Sequence, residues 1–188
     1  MYWKALTDYW IGSYGHAVHS LYAGDPKQFE PFEWKGLDRQ NHTANVDPAW
    51  VKNIKGQQVA GKLWYDGHFV WIKCPKNGRC AEKTESEAKQ GGWGTPLAPY
   101  KHVAYNWVKN TDLKDNDSIC IRKLGIVTVS DHGSGGGAHW LDLYIGEHGP
   151  KWGPEGQNWE SLGRQDYIWV LRPLLRDPNP CSWDHCPI

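Results

Sequence analysis

Glycine and proline interrupt this chain so often that little room is left for long helices, and a mainly β fold is favoured. The 188 residues include 21 Gly and 12 Pro. No stretch much beyond about ten residues keeps the apolar period of a helix. We expect helix only in short pieces, over 81–90, over about 47–54 and near 157–162. The length fits one domain, or one domain that carries a large insertion.

Strands are predicted where short runs of β-forming residues lie between turn signals. The pair Asp66-Gly67 is typical of a type I′ turn, and it predicts a hairpin over 62–73. Further strands are expected over 3–12, in two parts of 118–131 joined near 123–125, over 139–146, and over 164–173. We interpret about 25–98 as an insertion between the first strand and the others, and 174–188 as a C-terminal tail.

The hydrophobic residues are unusually rich in tryptophan and tyrosine. The chain has 13 Trp and 9 Tyr, against 3 Phe and 1 Met. A buried indole N–H needs a hydrogen-bond partner, so a core alone rarely selects so many Trp. Some of them are expected to fill a β core, and others to line a surface that stacks on flat apolar faces. Sugar rings are the commonest ligands of that kind.

Charge and hydropathy disfavour two classes of partner. Lys and Arg together number 21, as do Asp and Glu, and no basic stretch stands out. Binding to nucleic acid through its phosphates therefore has little support. No apolar run approaches the ~20 residues that a membrane span needs. The first ten residues lack the apolar stretch of a signal peptide, and Met1 is interpreted as an initiator placed on a mature, exported chain.

The cysteines fall into two close pairs and one single residue. Cys74 with Cys80, and Cys181 with Cys186, could each close a small loop, which would imply an oxidising compartment. Cys120 lies in an apolar run and is expected to be a buried free thiol. Neither pair has the C-x-x-C spacing of a typical zinc site.

Strand alternation singles out Asp142. In the strand over 139–146, Leu141 and Leu143 share a face with Ile145, which marks the core side. Asp142 therefore projects from the opposite face, between the aromatic residues Trp140 and Tyr144. Partial desolvation would raise the pKa of such a carboxyl group, as a general acid requires.

Asp131 stands at the end of a strand, next to the glycine-rich run that leads to Asp142. Backbone N–H groups could approach it closely there, or it could simply cap the loop. His132 and His139 flank the same run and, with the two aspartates, could form a metal site. No H-E-x-x-H pattern is present, so we expect no metal and no cofactor, and His139 is expected to hydrogen-bond the substrate or Asp131.

Three segments in order carry a resemblance to a known family. They are 131–133 (DHG), 140–144 (WLDLY) and 167–173 (YIWVLRP). They resemble the motifs D-x-G-G-x-I-x-G, aromatic-Asp-hydrophobic-Tyr/Phe and Y-V-W-V-L-x-P of the 3D domain of MltA-type lytic transglycosylases. The resemblance covers about 95–173, together with the first strand at 3–12.

The resemblance implies a six-stranded double-psi β-barrel, a fold shared more distantly with expansins, barwin-like proteins and family 45 endoglucanases. It also implies that Asp142 is the catalytic acid and base and that Asp131 is a second functional carboxylate. The family's first aspartate falls on Asn106 here. The aspartate that follows Trp in family 45 endoglucanases falls on Ile11, where nearby Asp8 could substitute.

With two aspartates replaced, a mechanism that needs one carboxylate fits best. In lytic cleavage of peptidoglycan, one residue protonates the leaving oxygen and then deprotonates the C6 hydroxyl of the muramic sugar. An inverting endoglucanase-like hydrolase and a non-catalytic, expansin-like wall-binding protein stay open as alternatives. We expect a monomer, secreted or in the cell envelope, that acts on peptidoglycan or a β-glucan. The expected substrate-binding residues are Asp8, Trp10, Asn106, His139, Trp140 and Tyr144, of which Trp10, Trp140 and Tyr144 would form the sugar platform.

Overall fold

A computed structural model of the chain describes residues 1–22, 24–57, 59–122, 124–133, 136–149 and 164–172. In this part of the chain there are eleven strands, two short α-helices and two turns of 3-10 helix. The strands are β1 (Tyr2–Ala17), β2 (Glu30–Lys35), β3 (Asn41–Val46), β4 (Gly61–Tyr65), β5 (His68–Lys73), β6 (Ala81–Lys83), β7 (His102–Asn106), β8 (Ser118–Ile121), β9 (Gly125–Gly133), β10 (Trp140–His148) and β11 (Arg164–Arg172). The helices are α1 (Pro48–Gln57) and α2 (Glu85–Ala88), and the 3-10 turns are His19–Leu21 and Pro26–Gln28.

Six of these strands close into a barrel. Their order around it is β1, β10, β7, β9, β8 and β11. The neighbours β7 and β9 run parallel, whereas β1 with β11, β10 with β7, β11 with β8, and β8 with β9 are antiparallel. The sequence-based prediction of a mainly β fold with a six-stranded barrel and short helices is confirmed.

Alternating aliphatic side chains fill the barrel. Leu141 and Leu143 of β10 are completely buried, as the alternation predicted. They belong to a set of aliphatic side chains that are at most 1% exposed: Ile119, Ile121, Val127, Val129, Leu141, Leu143, Ile168 and Val170. Each buried side chain of this size stabilises the fold by roughly 1.5–3 kcal/mol. The same alternation directs Asp142 away from this core.

A second sheet has five strands, in the order β3, β2, β6, β5 and β4. Trp50 and Ile54 of α1 are fully buried in the same apolar cluster as Trp34 of β2 and Ile72 of β5. The Trp50 indole donates a hydrogen bond of 2.8 Å to the Ala17 carbonyl, so its polar atom is satisfied. Part of the tryptophan content therefore serves a core, as expected.

The chain divides into two compact units, each with a core of its own. The barrel unit contains the described residues of 1–13, 91–144 and 164–172, and the sheet unit contains those of 14–90 and 145–149. The interpretation of about 25–98 as an insertion stays a prediction. The predicted tail at 174–188 lies outside the described residues. Within the described ranges, no helix is long and apolar enough to cross a membrane.

The local predictions are confirmed in most places and incomplete in others. The hairpin over 62–73, the helix near 47–54 and the strand pair within 118–131 are all present. The expected helix over 81–90 is reduced to α2, because β6 takes residues 81–83. Thr84 and Glu87 form a capping box that starts α2 directly after that strand. The predicted helical turn at 157–162 lies outside the described residues.

One cysteine prediction is confirmed and one is wrong. Cys74 and Cys80 form a disulfide. Cys120 is also disulfide-bonded, so the expectation of a free thiol is wrong. A half-cystine is as apolar as a thiol, and the apolar run around Cys120 could not distinguish the two. Cys181 and Cys186, for which a bond to each other was expected, lie outside the described residues.

Candidate active site

Asp142 lies in the wall of a small cavity of the barrel unit. β10 carries it opposite Ala104 of the antiparallel strand β7. The lining residues are Ala104, Tyr105, Asn106, Gly133, Trp140 and Asp142. The strands β7 and β10 therefore bring polar and aromatic groups to one place, and β9 contributes Gly133.

Burial controls the proton affinity of Asp142. Desolvation raises the pKa of this carboxyl group, and a hydrogen bond from the Trp140 indole opposes the rise. The Trp140 Nε1 atom donates to Asp142 Oδ1 at 2.8 Å. The net direction is upward, which keeps more of the acid form at a given pH than an exposed aspartate would have. This is the electrostatic setting that the strand alternation predicted.

The sequence analysis missed Gly12, which allows β1 to approach the carboxylate closely. A Cβ atom at this position would collide with Asp142 Oδ1 and would lie 3.1 Å from Trp140 Nε1. A residue with a side chain would therefore displace the carboxylate or break its bond to the indole. The one signal in the sequence is that Gly12 follows Trp10 by two residues, which places both on the same face of β1.

Trp10, His139 and Trp140 lie together beside Asp142. The rings of Trp10 and Trp140 stack with centroids 6.1 Å apart and an interplanar angle of 8°. Trp10 is 48% exposed, so one broad apolar surface faces solvent. The Trp10 backbone N–H donates to the His139 carbonyl at 2.8 Å, and the His139 ring stacks on Tyr9.

Tyr144 does not join this surface. Its side chain is only 2% exposed, which leaves no ring face for a sugar. The expectation that Tyr144 belongs to the sugar platform is therefore wrong. Alternation placed it on the outer face of β10, but a strand in a closed barrel can be covered on that face too, which the pattern alone does not reveal.

Asp131 binds backbone N–H groups. Its Oδ1 atom accepts hydrogen bonds from Gly92 N at 2.6 Å and from His132 N at 2.8 Å. Gly91 and Gly92 lie close to β9. A Cβ on Gly91 would collide with the Ser130 carbonyl, and a Cβ on Gly92 would collide with the His132 ring. Backbone N–H groups thus do approach Asp131 closely, and it holds the loop at Gly92, which is remote in sequence from the glycine-rich run that it was expected to cap.

Asn106 is also committed to backbone contacts. Its side chain is buried, and its Oδ1 atom accepts from Val108 N at 3.2 Å and Lys109 N at 3.1 Å. Its Nδ2 atom donates to the Gly136 carbonyl at 3.3 Å. The amide thus connects the end of β7 to the glycine-rich run, while the residue also lines the cavity.

Asp8 forms an ion pair at the surface. Its Oδ1 atom lies 2.5 Å from Arg164 Nη2, and both side chains are more than half exposed. Its backbone has a φ of 60°. The alternation of buried side chains along β1 changes at this point, from the even position Leu6 to the odd positions Tyr9 and Ile11. The arrangement connects β1 to β11. It gives no direct support for Asp8 as a catalytic base.

Among the described residues, no group of three or more His, Cys, Asp or Glu side chains could hold a metal ion. His132 is part of no such group. Instead its ring contacts Trp93 at a centroid distance of 4.6 Å and Trp107 at 5.6 Å.

No protein-family model matches the sequence, and no curated protein matches it. Solved structures do. Escherichia coli MltA with bound chitohexaose superposes with a TM-score of 0.61 and 12% identity, over 88% of this chain and 72% of that one. The lytic transglycosylase LtgG of Burkholderia pseudomallei gives a TM-score of 0.52 and 12% identity, over 87% and 72%. The chain has the fold of the MltA-type lytic transglycosylases.

Within this MltA-like fold, part of the predicted site comes together. Asp142, Trp140 and Asn106 line one cavity, and Trp10 adjoins it through its stack on Trp140. Trp10 and Trp140 are brought together by the pairing of β1 with β10, which local sequence patterns do not contain. The tryptophans that contact His132 are a further aromatic group that the sequence analysis did not single out.

Proposed function

We propose that this protein cleaves β-1,4-glycosidic bonds of a cell-wall polysaccharide, with Asp142 as the proton donor. The observation that carries the proposal is a largely buried carboxyl group with a raised pKa in a cavity wall beside stacked tryptophans. The fold supports it, because the superposed structures are lytic transglycosylases and one of them holds chitohexaose, a β-1,4-linked oligosaccharide.

The finer proposal is lytic cleavage of peptidoglycan. Asp142 gives its proton to the glycosidic oxygen as the bond from C1 to that oxygen breaks. Its carboxylate then removes the proton of the C6 hydroxyl of the muramic sugar, whose oxygen bonds to C1. The product is a 1,6-anhydro sugar, no water is consumed, and Asp142 ends protonated as it began.

The residues around the cavity favour this route over hydrolysis with a separate base. An inverting hydrolase needs a second carboxylate to activate water. Among the cavity-lining residues that the structure describes, Asp142 is the one carboxylate. Asp131 is bound to backbone N–H groups, and Asn106 cannot ionise.

Mass spectrometry of peptidoglycan digests tests the proposal. We expect muropeptides that end in 1,6-anhydro sugars, and loss of product in Asp142→Asn. The matched control is Asp66→Asn, which changes an exposed turn residue and should cleave like the parent. Reducing ends instead of anhydro ends would replace lytic cleavage by hydrolysis. Binding to the wall without any soluble fragment, from peptidoglycan or cellulose, would favour an expansin-like protein.

We further propose that the protein lies outside the cytoplasm. The Cys74–Cys80 disulfide and the oxidised Cys120 support this, because disulfides persist in oxidising compartments. That the protein is a monomer stays a prediction.

A further inference from the structure

An aromatic cluster of the barrel unit shares one residue, Tyr105, with the cavity at Asp142 and otherwise has no part in the site described so far. It consists of Trp93, Tyr105, Trp107 and His132, and we call it the aromatic wall. Trp93 stacks on Tyr105 at a centroid distance of 6.0 Å, its ring is tilted against the His132 ring at 4.6 Å, and Trp107 meets His132 edge-on. Trp93 is 39% exposed and Trp107 57% exposed. Two large indoles thus present apolar surface to solvent on a shared support.

The loop that carries Trp93 is held in place by specific contacts. Gly91 N donates to the Thr95 carbonyl at 2.9 Å, and Gly94 N to the Gly91 carbonyl at 2.9 Å. The Asp131 carboxylate accepts from Gly92 N, directly before Trp93. Hydrogen bonds to a charged group are among the stronger ones in proteins. Trp93 is therefore presented by an ordered turn, and little conformational entropy would be lost when it binds a ligand.

The aromatic wall is continuous with the cavity at Asp142. Tyr105 contacts Trp93 and also lines that cavity. The parallel pairing of β7 and β9 sets Tyr105 beside His132 and Asn106 beside Gly133. A chain-like ligand held at Asp142 could therefore continue over the aromatic wall without a break.

We propose that the aromatic wall binds pyranose rings of the glycan chain next to the scissile bond, and that Asp131 is a positioning residue that holds the Trp93 loop. The proposal rests on the function proposed above and extends it to a second set of sugar contacts. β-1,4-linked sugars present faces of C–H groups that match exposed indole rings. A phosphodiester chain is disfavoured as occupant, because the net charge is zero.

Binding of chito-oligosaccharides of increasing length tests the aromatic wall. In the Asp142→Asn background, which prevents turnover, affinity for chitobiose through chitohexaose is measured by calorimetry. Truncation of a central aromatic contact commonly weakens binding about tenfold or more. We expect that loss for chitohexaose in Trp93→Ala and Trp107→Ala, with chitobiose affinity changed by less than about twofold. Trp93→Phe keeps an aromatic ring and should recover most of the loss.

Trp64→Ala is the matched control. Trp64 is a similarly exposed indole, at 56%, in the sheet unit. Its removal should leave chitohexaose binding unchanged.

If Trp93→Ala and Trp107→Ala bind chitohexaose like the parent, the aromatic wall is not a sugar site, although cleavage through Asp142 would stand. If the Asp142→Asn protein binds none of the oligosaccharides, the proposal that the aromatic wall binds sugars is wrong. Peptidoglycan digestion by the parent then tests the proposed function separately.

The role of Asp131 is tested by two substitutions, with cleavage measured in the active protein and chitohexaose affinity measured in the Asp142→Asn background. Asn keeps an oxygen that can accept from Gly92 N, whereas Ala removes it. We expect Asp131→Asn to retain cleavage within a few-fold, and Asp131→Ala to lose the same chitohexaose affinity as Trp93→Ala. Loss of cleavage in Asp131→Asn, with chitohexaose binding intact, would make Asp131 a second catalytic carboxylate and overturn the positioning role.

Discussion

The proton affinity of Asp142 results from two opposing effects, burial and one hydrogen bond. Burial in the barrel wall raises the pKa of the carboxyl group, and the indole N–H of Trp140 lowers it by stabilising the charged form. Because Gly12 has no side chain, β1 leaves room for the carboxylate of Asp142 and the indole of Trp140. A general acid is most effective when its pKa lies near the working pH, so this balance bears directly on rate.

Trp140→Phe should therefore shift the pH dependence of cleavage. The acid form of Asp142 is the active one, so activity falls as pH rises through its pKa. Loss of the indole donor raises that pKa further, and the fall should move to higher pH. The measurement is kcat/KM against pH on solubilised glycan strands. Trp64→Phe, a change in the sheet unit, should leave the profile in place, and a shift to lower pH in Trp140→Phe would contradict the argument.

How much of the site the sequence could predict depends on how local each contact is. Asp142 and Trp140 are two residues apart on one strand, so alternation alone placed both on the outer face. Asp131 contacts Gly92, which is 39 positions away along the chain. No local pattern contains that pair, so the contact of Asp131 with this loop became clear only from the fold.

At the scale of elements, prediction succeeded where turn chemistry was explicit. The Asp66-Gly67 turn between β4 and β5 has positive φ angles at both residues, 46° and 80°, as a type I′ turn requires. The strands β2 and β3 were not predicted, because β3 (NHTANV) is largely polar and β2 contains Pro31. Their pairing with each other, and that of β2 with β6, stabilises them through contacts remote in sequence.

Two glycine substitutions should have opposite effects on the stability of the sheet unit. Gly67→Ala forces an L-residue to a φ of 80° and should destabilise by about 1 kcal/mol. Gly56→Ala lies in α1 and should stabilise by up to about 1 kcal/mol, because alanine favours helix. Open space surrounds both positions, so steric collision does not enter. Urea denaturation of both variants measures the difference, and effects of the same sign would contradict the assigned backbone conformations.

At the scale of the whole molecule, the tryptophans are divided between core and surface. Trp34 and Trp50 are buried in the sheet unit, whereas Trp10, Trp93 and Trp107 are exposed on the barrel unit. The composition predicted both uses but could not assign them, because burial depends on which strands become neighbours. The barrel carries the candidate chemistry, and the sheet unit has an apolar core and a disulfide of its own.

Separate cores imply that the two units can open separately, and the Cys74–Cys80 disulfide offers a way to test this. The bond closes a short loop, with a sequence separation of 6, and Cys80 also accepts a backbone hydrogen bond from Lys35 of β2. Both sulfur atoms lie in the apolar cluster of the sheet unit. The double variant Cys74→Ala/Cys80→Ala should therefore lose about 2 kcal/mol of stability in that unit.

Hydrogen exchange locates this loss. Amides of β4, β5 and β6 should exchange about thirtyfold faster in the double variant, the equivalent of that free energy, while those of β7 and β9 keep their protection. A reductant is not a substitute for the double variant, because it would also break the disulfide of Cys120 in the barrel strand β8. Equal loss of protection in both sets of strands would mean that the chain opens as one cooperative unit, in spite of its two cores.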